Sequence, residues 1–353
     1  MAAFDAAPER SDPPASAMGR TVIPLIDARV GGAAALAEAG SEGAARLIAS
    51  GKRMMTPPVV ALFDRRSERW ARRTGNPYTD EISRIADRLP RGVWFMNFCY
   101  EWGCTTGVAD HPDGGVTMRR TLDWPFHGLG REVVVARLSG PAGGYFNITW
   151  PGFVGVITGM APGRFALAIN QAPLRRRGPW PHPIDWTIDR FVVERSAALP
   201  PAHLARQVLE ECPDFDTAAR RLMETEIALP AFFTLSGVER GQGCVIEHLG
   251  AHAVRHDGPE AVANDWLSEG RRGKPRGKAN SERRALMKLH GERLETSRMD
   301  WVIPPILNKD TRLAAVMNAA SGALSVMGFE RDGPATDLFD LAELRSTVAG
   351  GAA

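Results

Sequence analysis

Most of the sequence signatures that identify an enzyme are missing from this 353-residue chain. It has no G-x-S-x-G elbow, no Walker loop, no H-E-x-x-H and no dinucleotide-binding G-x-G-x-x-G, which sets aside the common hydrolase, nucleotide and zinc-protease templates. Cysteine is scarce: Cys99, Cys104, Cys212 and Cys244 stand at irregular spacing, giving neither a disulfide framework nor a zinc pattern. Long apolar runs are absent too. The most apolar stretch, Trp150 to Pro173, is interrupted by Gly, Pro and Arg164, so no transmembrane segment is expected. The first twenty residues contain no apolar core of a signal peptide and read as a disordered tail, which sets a reducing, cytoplasmic location as the expectation. With a formal charge of only +2, no nucleic-acid partner is expected. The basic runs at Arg65-Arg66 to Arg72-Arg73, Arg175-Arg176-Arg177 and Arg271 to Arg284 read as solvated faces or loops.

What is present is an ordinary globular composition, 44% hydrophobic and 24% charged, in one large domain or two smaller ones. A short strand is expected over Thr21–Asp27. Helices are expected over Ala33–Lys52, Val59–Arg73 and Thr79–Leu89, with Thr56-Pro57-Pro58 and Asn76-Pro77 between them. From about Gly92 the chain turns strand-rich, with expected strands at Val93–Cys99, Thr105–Ala109, Val116–Leu122, Glu132–Leu138, Tyr145–Trp150, Val154–Thr158 and Phe165–Ile169. Helices return at Thr187–Ala198, Pro201–Cys212 and Asp216–Glu224. Strands follow at Ala231–Gly237, Gly243–Glu247 and Ala251–His256, and a last helix at Ser281–Leu289. Grouped strands and helices without a βαβ rhythm indicate a layered α+β fold.

Two sets of residues invite chemistry. His248, His252 and His256 recur at intervals of four, which leaves a metal site open, although surface histidines beside a hairpin turn are the simpler reading, and no metal or other cofactor is expected. Cys104 follows Gly103 at the start of an expected strand, and Arg120 and Asp123 lie on the next one. A lone cysteine is usually a buried structural residue, and an Arg–Asp pair three apart is usually a surface ion pair. If the Gly103–Cys104 bond were cut, however, the α-amine of Cys104, with a pKa of about 7.7–8.0, could accept the proton of its own thiol, at about 8.5, without a catalytic histidine. Arg120, returned by a hairpin, would favour thiolate through its charge. Asp123 would hold the amine in its ammonium form.

Cys104-Thr-Thr followed by Arg120-Thr-Leu-Asp123-Trp resembles the β-subunit start of acid ceramidase and N-acylethanolamine acid amidase, cysteine N-terminal-nucleophile hydrolases related to choloylglycine hydrolases and penicillin V acylase. The run from Phe153-Val-Gly-Val-Ile-Thr-Gly through Pro162-Gly-Arg-Phe to Asn170 is similar to a family segment, as are Leu229-Pro-Ala-Phe-Phe, Gly241-Gln-Gly-Cys-Val-Ile246, Ala263-Asn264-Asp265-Trp266, Ser281-Glu-Arg283-Arg284 and Pro305-Ile-Leu-Asn308. Together they span roughly residues 90–330 in order. The resemblance implies an α+β fold, a four-layer αββα sandwich, with a mostly helical leader over 21–103 and a catalytic part over 104–353. It implies autocleavage at Gly103–Cys104, Cys104 as nucleophile, Asn170 and Asn264 at the oxyanion site, and Arg283 (or Arg284, the register being open) in the polar cluster. It further implies a small-molecule N-acyl amide as partner, continued association of the two fragments, and an oligomer as a possible state. Trp102, Trp124, Phe126, Phe153 and Trp186 are candidates for an acyl pocket and equally for the core. An acyltransferase of the same fold, or an unprocessed binding protein, are the alternatives. Two departures stand out: the relatives are secreted or lysosomal, and their Asn-Glu after the central strand is Asn170-Gln171 here.

Overall fold

The computed structural model describes residues 19–98, 102–292 and 299–344. Most of the expected tail, and Cys99 with the two residues after it, lie outside the described residues.

Two β-sheets form the centre. The first has eight strands in the order β1 (Leu25–Asp27), β4 (Val134–Gly140), β5 (Gly143–Thr149), β6 (Thr158–Ala161), β7 (Phe165–Gln171), β8 (Ala231–Gly237), β9 (Gly243–His248) and β10 (Ala253–Asp257). The second runs β11 (Glu260–Val262), β2 (Gly103–Asp110), β3 (Val116–Asp123), β12 (Thr311–Asn318), β13 (Ala323–Glu330) and β14 (Gly333–Pro334), with β15 (Phe339–Asp340) also on β13. The sheets pack face to face, β2 and β3 against β7 and β8. Helices α7 (Pro201–Glu211) and α8 (Phe215–Glu224) cover the eight-stranded sheet, and α9 (Asn280–Glu292) covers β2 and β11. The layers are α, β, β, α, as expected.

Period-two alternation explains why β3 is buried at every position. Val116, Met118 and Leu122 enter the core between the sheets, while Thr117, Arg119, Thr121 and Asp123 alternate with them. Arg120 breaks the pattern, being a fully buried charge on the apolar face. The β2–β3 register sets Cys104 opposite Leu122 and Thr106 opposite Arg120, so Arg120 lies diagonal to Cys104 on one face.

The expected leader, over its described residues, is helical but also supplies a strand, since β1 pairs in parallel with β4. Its helices are α1 (Gly32–Ala39), α2 (Ser41–Met54), α3 (Pro57–Thr74), α4 (Thr79–Ala86) and α5 (Val93–Phe98). The single helix expected over Ala33–Lys52 divides at Gly40, where a Cβ would stand 2.4 Å from the Pro151 ring. The strand expected over Val93–Cys99 is instead the helix α5. Its residues are buried on nearly all sides, so the apolar run carried no period to separate helix from strand. Asn97 Nδ2 donates to the carbonyl of Val93 one turn back, and the Asp64 carboxylate accepts from Phe95 N at 3.0 Å. The strand expected over Val154–Thr158 is also corrected. Val154 N donates to Asn97 Oδ1 and Val156 N to the Ala202 carbonyl, so these amides leave the ladder, and β6 begins only at Thr158. The helix expected over Thr187–Ala198 lies earlier, as α6 (His182–Val193).

Polar contacts join the leader to the sandwich. Arg206 on α7 donates to Glu81 of α4 at 2.5 Å and to Glu210 at 2.8 Å, and Tyr78 OH donates to Glu210 at 2.8 Å. Asn76 meets His203 at 2.8 Å, and Trp70 Nε1 donates to the Ser196 carbonyl at 2.9 Å.

Candidate active site

Cys104 is completely buried at the start of β2. Its Sγ lies 3.2 Å from Nη2 of Arg120 and 3.6 Å from the carbonyl of Ile169 on β7. The other terminal nitrogen of Arg120 donates to the carbonyls of Ile157 (3.0 Å) and Ile169 (2.9 Å), which fixes the guanidinium plane against the sulfur. The backbone N–H of Cys104 donates to Asn264 Oδ1 at 2.7 Å. This nitrogen belongs to the Gly103–Cys104 peptide bond.

Behind the strand, Arg283 of α9 gathers the rest. Its Nη1 donates to the Cys104 carbonyl (2.9 Å), Thr105 Oγ1 (2.9 Å) and Asp123 Oδ2 (3.0 Å), and its Nη2 to Asn264 Oδ1 (3.2 Å) and Asn280 Oδ1 (2.6 Å). The two arginines take different directions in space. Arg283 is buried at the cluster, whereas Arg284 turns outward to Glu260 and the Ala261 carbonyl. Thr311 Oγ1 donates to the second oxygen of Asp123 at 2.8 Å.

The two asparagines are placed differently. Asn264 presents its oxygen to Cys104, while its Nδ2 donates to the Gln171 carbonyl at 2.8 Å. Asn170 accepts from Thr106 at 2.6 Å, and its Nδ2 is spent on the carbonyls of Val262 (3.1 Å) and Ala263 (3.0 Å). Both amide hydrogens of Asn170, and one of Asn264, are thus already engaged. Thr105, Thr106, Asn280 and Thr311 escaped the sequence reading. The signals were there: Thr106 is two residues from Cys104 on the same strand face, and Asn280 is one helical turn before Arg283.

Burial dominates the electrostatics. It pushes the Cys104 thiol up to about 11, against the pull of Arg120, with Asp123 adding to the rise. Arg120 pulls toward thiolate, but desolvation outweighs the guanidinium. Burial likewise raises Asp123, with Arg283 opposing, and lowers Arg120.

Trp102 and Trp124 lie 5.1 Å apart by ring centroid and Trp124 and Phe126 5.8 Å, an aromatic row packed on the same core as Cys104 and Phe153. Trp186 is elsewhere, edge-on to Phe63 and on the wall of an open cleft that includes Gln171. The histidines do not converge: His248 meets the Thr225 carbonyl and Gly250 N, His256 meets Glu247, and His252 is exposed. Among the described residues no three metal-ligating side chains cluster, and no helix is long and apolar enough to cross a membrane.

A four-layer αββα sandwich with a cysteine at the head of an inner strand is the architecture of the N-terminal-nucleophile hydrolases, the class that the sequence resembles. No family model matches the chain. By sequence, it is similar to the N-acylethanolamine-hydrolyzing acid amidase of Oryctolagus cuniculus, 26% identical over 74% of this chain and 75% of the relative. It is also similar to the acid ceramidase of Heterocephalus glaber, 26% identical over 53% and 51%. The chain spans about half the length of several of the curated relatives that it matches. Among solved structures, an N-acylethanolamine-hydrolyzing acid amidase ortholog of Caenorhabditis elegans aligns over 67% of this chain and 100% of that one, at 19% identity and a TM-score of 0.48.

Proposed function

We propose that the chain is a self-processing cysteine amidohydrolase acting on N-acyl amides. The observation that carries this reading is the pairing at Cys104: its sulfur is 3.2 Å from Arg120, and the nitrogen of the bond before it is 2.7 Å from Asn264 Oδ1. In processing, Sγ adds to the Gly103 carbonyl carbon, the Cys104 nitrogen takes up a proton, and the C–N bond breaks to leave the acyl group on sulfur. Water then hydrolyses the thioester, releasing the Gly103 carboxylate, the thiol and a free α-amine. The leader, 1–103, stays docked on 104–353 through the Arg206–Glu81 and Asn76–His203 contacts, and a reducing, cytoplasmic setting keeps the thiol free.

In the mature enzyme the α-amine accepts the thiol proton, with Asn264 Oδ1 and Asp123 positioned to hold the ammonium. Arg120 stabilises the thiolate, an effect that gains strength in a low-dielectric site. The sulfur attacks the substrate carbonyl, the α-ammonium returns its proton to the leaving amine, and water completes hydrolysis. Asn264, with the amide hydrogen not donated to Gln171, and Asn170, by turning from the carbonyls of Val262 and Ala263, supply the oxyanion donors. The aromatic row beside Cys104 receives an apolar acyl group.

Intact mass spectrometry tests the reading. The 38.3 kDa chain should resolve into two fragments, the second beginning at Cys104, and Cys104→Ala should remain whole. A persistent full-length chain that hydrolyses no N-acyl amide would overturn it.

A further inference from the structure

Two groups of residues of different chemistry are tied to Cys104 through the strands around it. One is the apolar row of Trp102, Trp124 and Phe126. The other is the open cleft that Gln171 lines. Its floor is the end of β7. Ile169 of that strand gives its carbonyl to Arg120 and Cys104, and Gln171, two residues on, lines the cleft. Gln171 also accepts from Trp102 N at 2.9 Å and, through its carbonyl, from Asn264. The cleft is thus joined to the site by one strand.

Its walls are basic. Arg175, Arg190 and Arg276 line it, with Leu174, Trp186 and Leu229 supplying apolar surface. The acidic residue on its wall, Asp189, is bonded to Arg177 at 3.1 Å, and the other acid of this helix, Asp185, to Lys274 at 2.7 Å. Arg276 donates its Nε to the Ala172 carbonyl. Arg175 is exposed, and Arg190 donates to the Phe98 carbonyl at 2.8 Å while its buried Nε has no hydrogen-bond partner among the described residues. Neither pairs with a carboxylate among the described residues. A concave, partly apolar surface with excess guanidinium charge fits a carboxylate, which arginine binds through paired N–H donors.

We infer that this cleft takes the amine part of the substrate and selects amides whose released amine bears a carboxylate, N-acyl amino acids, over neutral amides. The inference rests on the amidase reading above. The acyl chain lies on the aromatic row, and the carboxylate is held by Arg175 and Arg190.

The test compares N-palmitoylglycine with N-palmitoylethanolamine, which share the acyl chain and amide and differ in a carboxylate against a hydroxymethyl group, on full-length protein whose processing has been verified by mass. The glycine conjugate should show a kcat/KM roughly tenfold higher at low salt, the worth of one charge-assisted hydrogen bond, with the ratio falling as NaCl is raised. Arg190→Gln should narrow the ratio, and Arg175→Gln, at an exposed position that folding tolerates, should narrow it as well. Equal rates on the two amides, or a ratio insensitive to both variants, would overturn the inference while leaving the amidase reading standing. A chain that neither cleaves itself nor hydrolyses either amide would remove both.

Discussion

Two buried arginines in this molecule are solvated by the protein in opposite ways. Arg206, at the seam between leader and sandwich, is neutralised by Glu81 and Glu210. Arg120, between the sheets, is completely buried, has no carboxylate within hydrogen-bonding distance among the described residues, and points at a sulfur. Its Nε has no hydrogen-bond partner among the described residues. A charge paired with opposite charge serves the fold. A charge left uncompensated costs stability, and under the proposed function it faces an atom that becomes anionic only during reaction. Uneven charge compensation of this kind distinguishes a site from a seam.

The comparison can be broken by mutation. Cys104→Ala should abolish both self-cleavage and amide hydrolysis, read by intact mass and product release. Arg120→Met should lower hydrolysis roughly 10²–10³-fold, the usual scale for losing a preorganised electrostatic donor, yet shift unfolding free energy by only about 1 kcal/mol, because removal of an uncompensated charge offsets the lost contacts to Ile157 and Ile169. A severe loss of stability with normal turnover would reverse the assignment of the two arginines. Arg206→Met should do the opposite, destabilising by about 3–5 kcal/mol by stranding two carboxylates in a denaturant titration, with Cys104 chemistry intact in the protein that remains folded.

The seam has its own pH signature. Burial holds His203 down to about 3, from an ordinary 6.5, so the folded protein keeps it neutral where the unfolded chain takes up a proton. The unfolded state binds more protons below 6.5, so stability should fall as pH drops from 6.5 toward 3, at no more than about 1.4 kcal/mol per pH unit. His203→Asn should flatten that slope in acid-unfolding curves. Smallest of all, Arg284→Gln should change stability by about 0.5 kcal/mol or less and leave processing untouched, whereas Arg283→Gln should impair processing.

The hairpin of β2 and β3 was legible because two strand-like runs, Thr105–Ala109 and Val116–Leu122, stand a short turn apart. The helices of the leader were legible in kind, but α5 was not: six residues buried on nearly all sides have no polar face to reveal a period. Strands β12 and β13 went unread, although they flank the site through Thr311. Asn280 lay just outside the expected helix; its spacing from Arg283 is local, but its bond to Asn264 N, 16 residues before it, is not.

By itself, then, the sequence determined the layered α+β class, the Gly103–Cys104 junction, and the residue types that gather there: a thiol, two arginines, an aspartate and two amides. Only the tertiary structure decided which of Arg283 and Arg284 turns inward, that Trp186 belongs to a basic cleft and not to the aromatic row, and that burial raises the Cys104 thiol against the pull of Arg120. The physical reason is that residue identity and local spacing are written along the chain. Desolvation and the direction of an amide depend instead on neighbours that may be 160 residues away, as Asn264 is from Cys104, and come into being only when the sheets close.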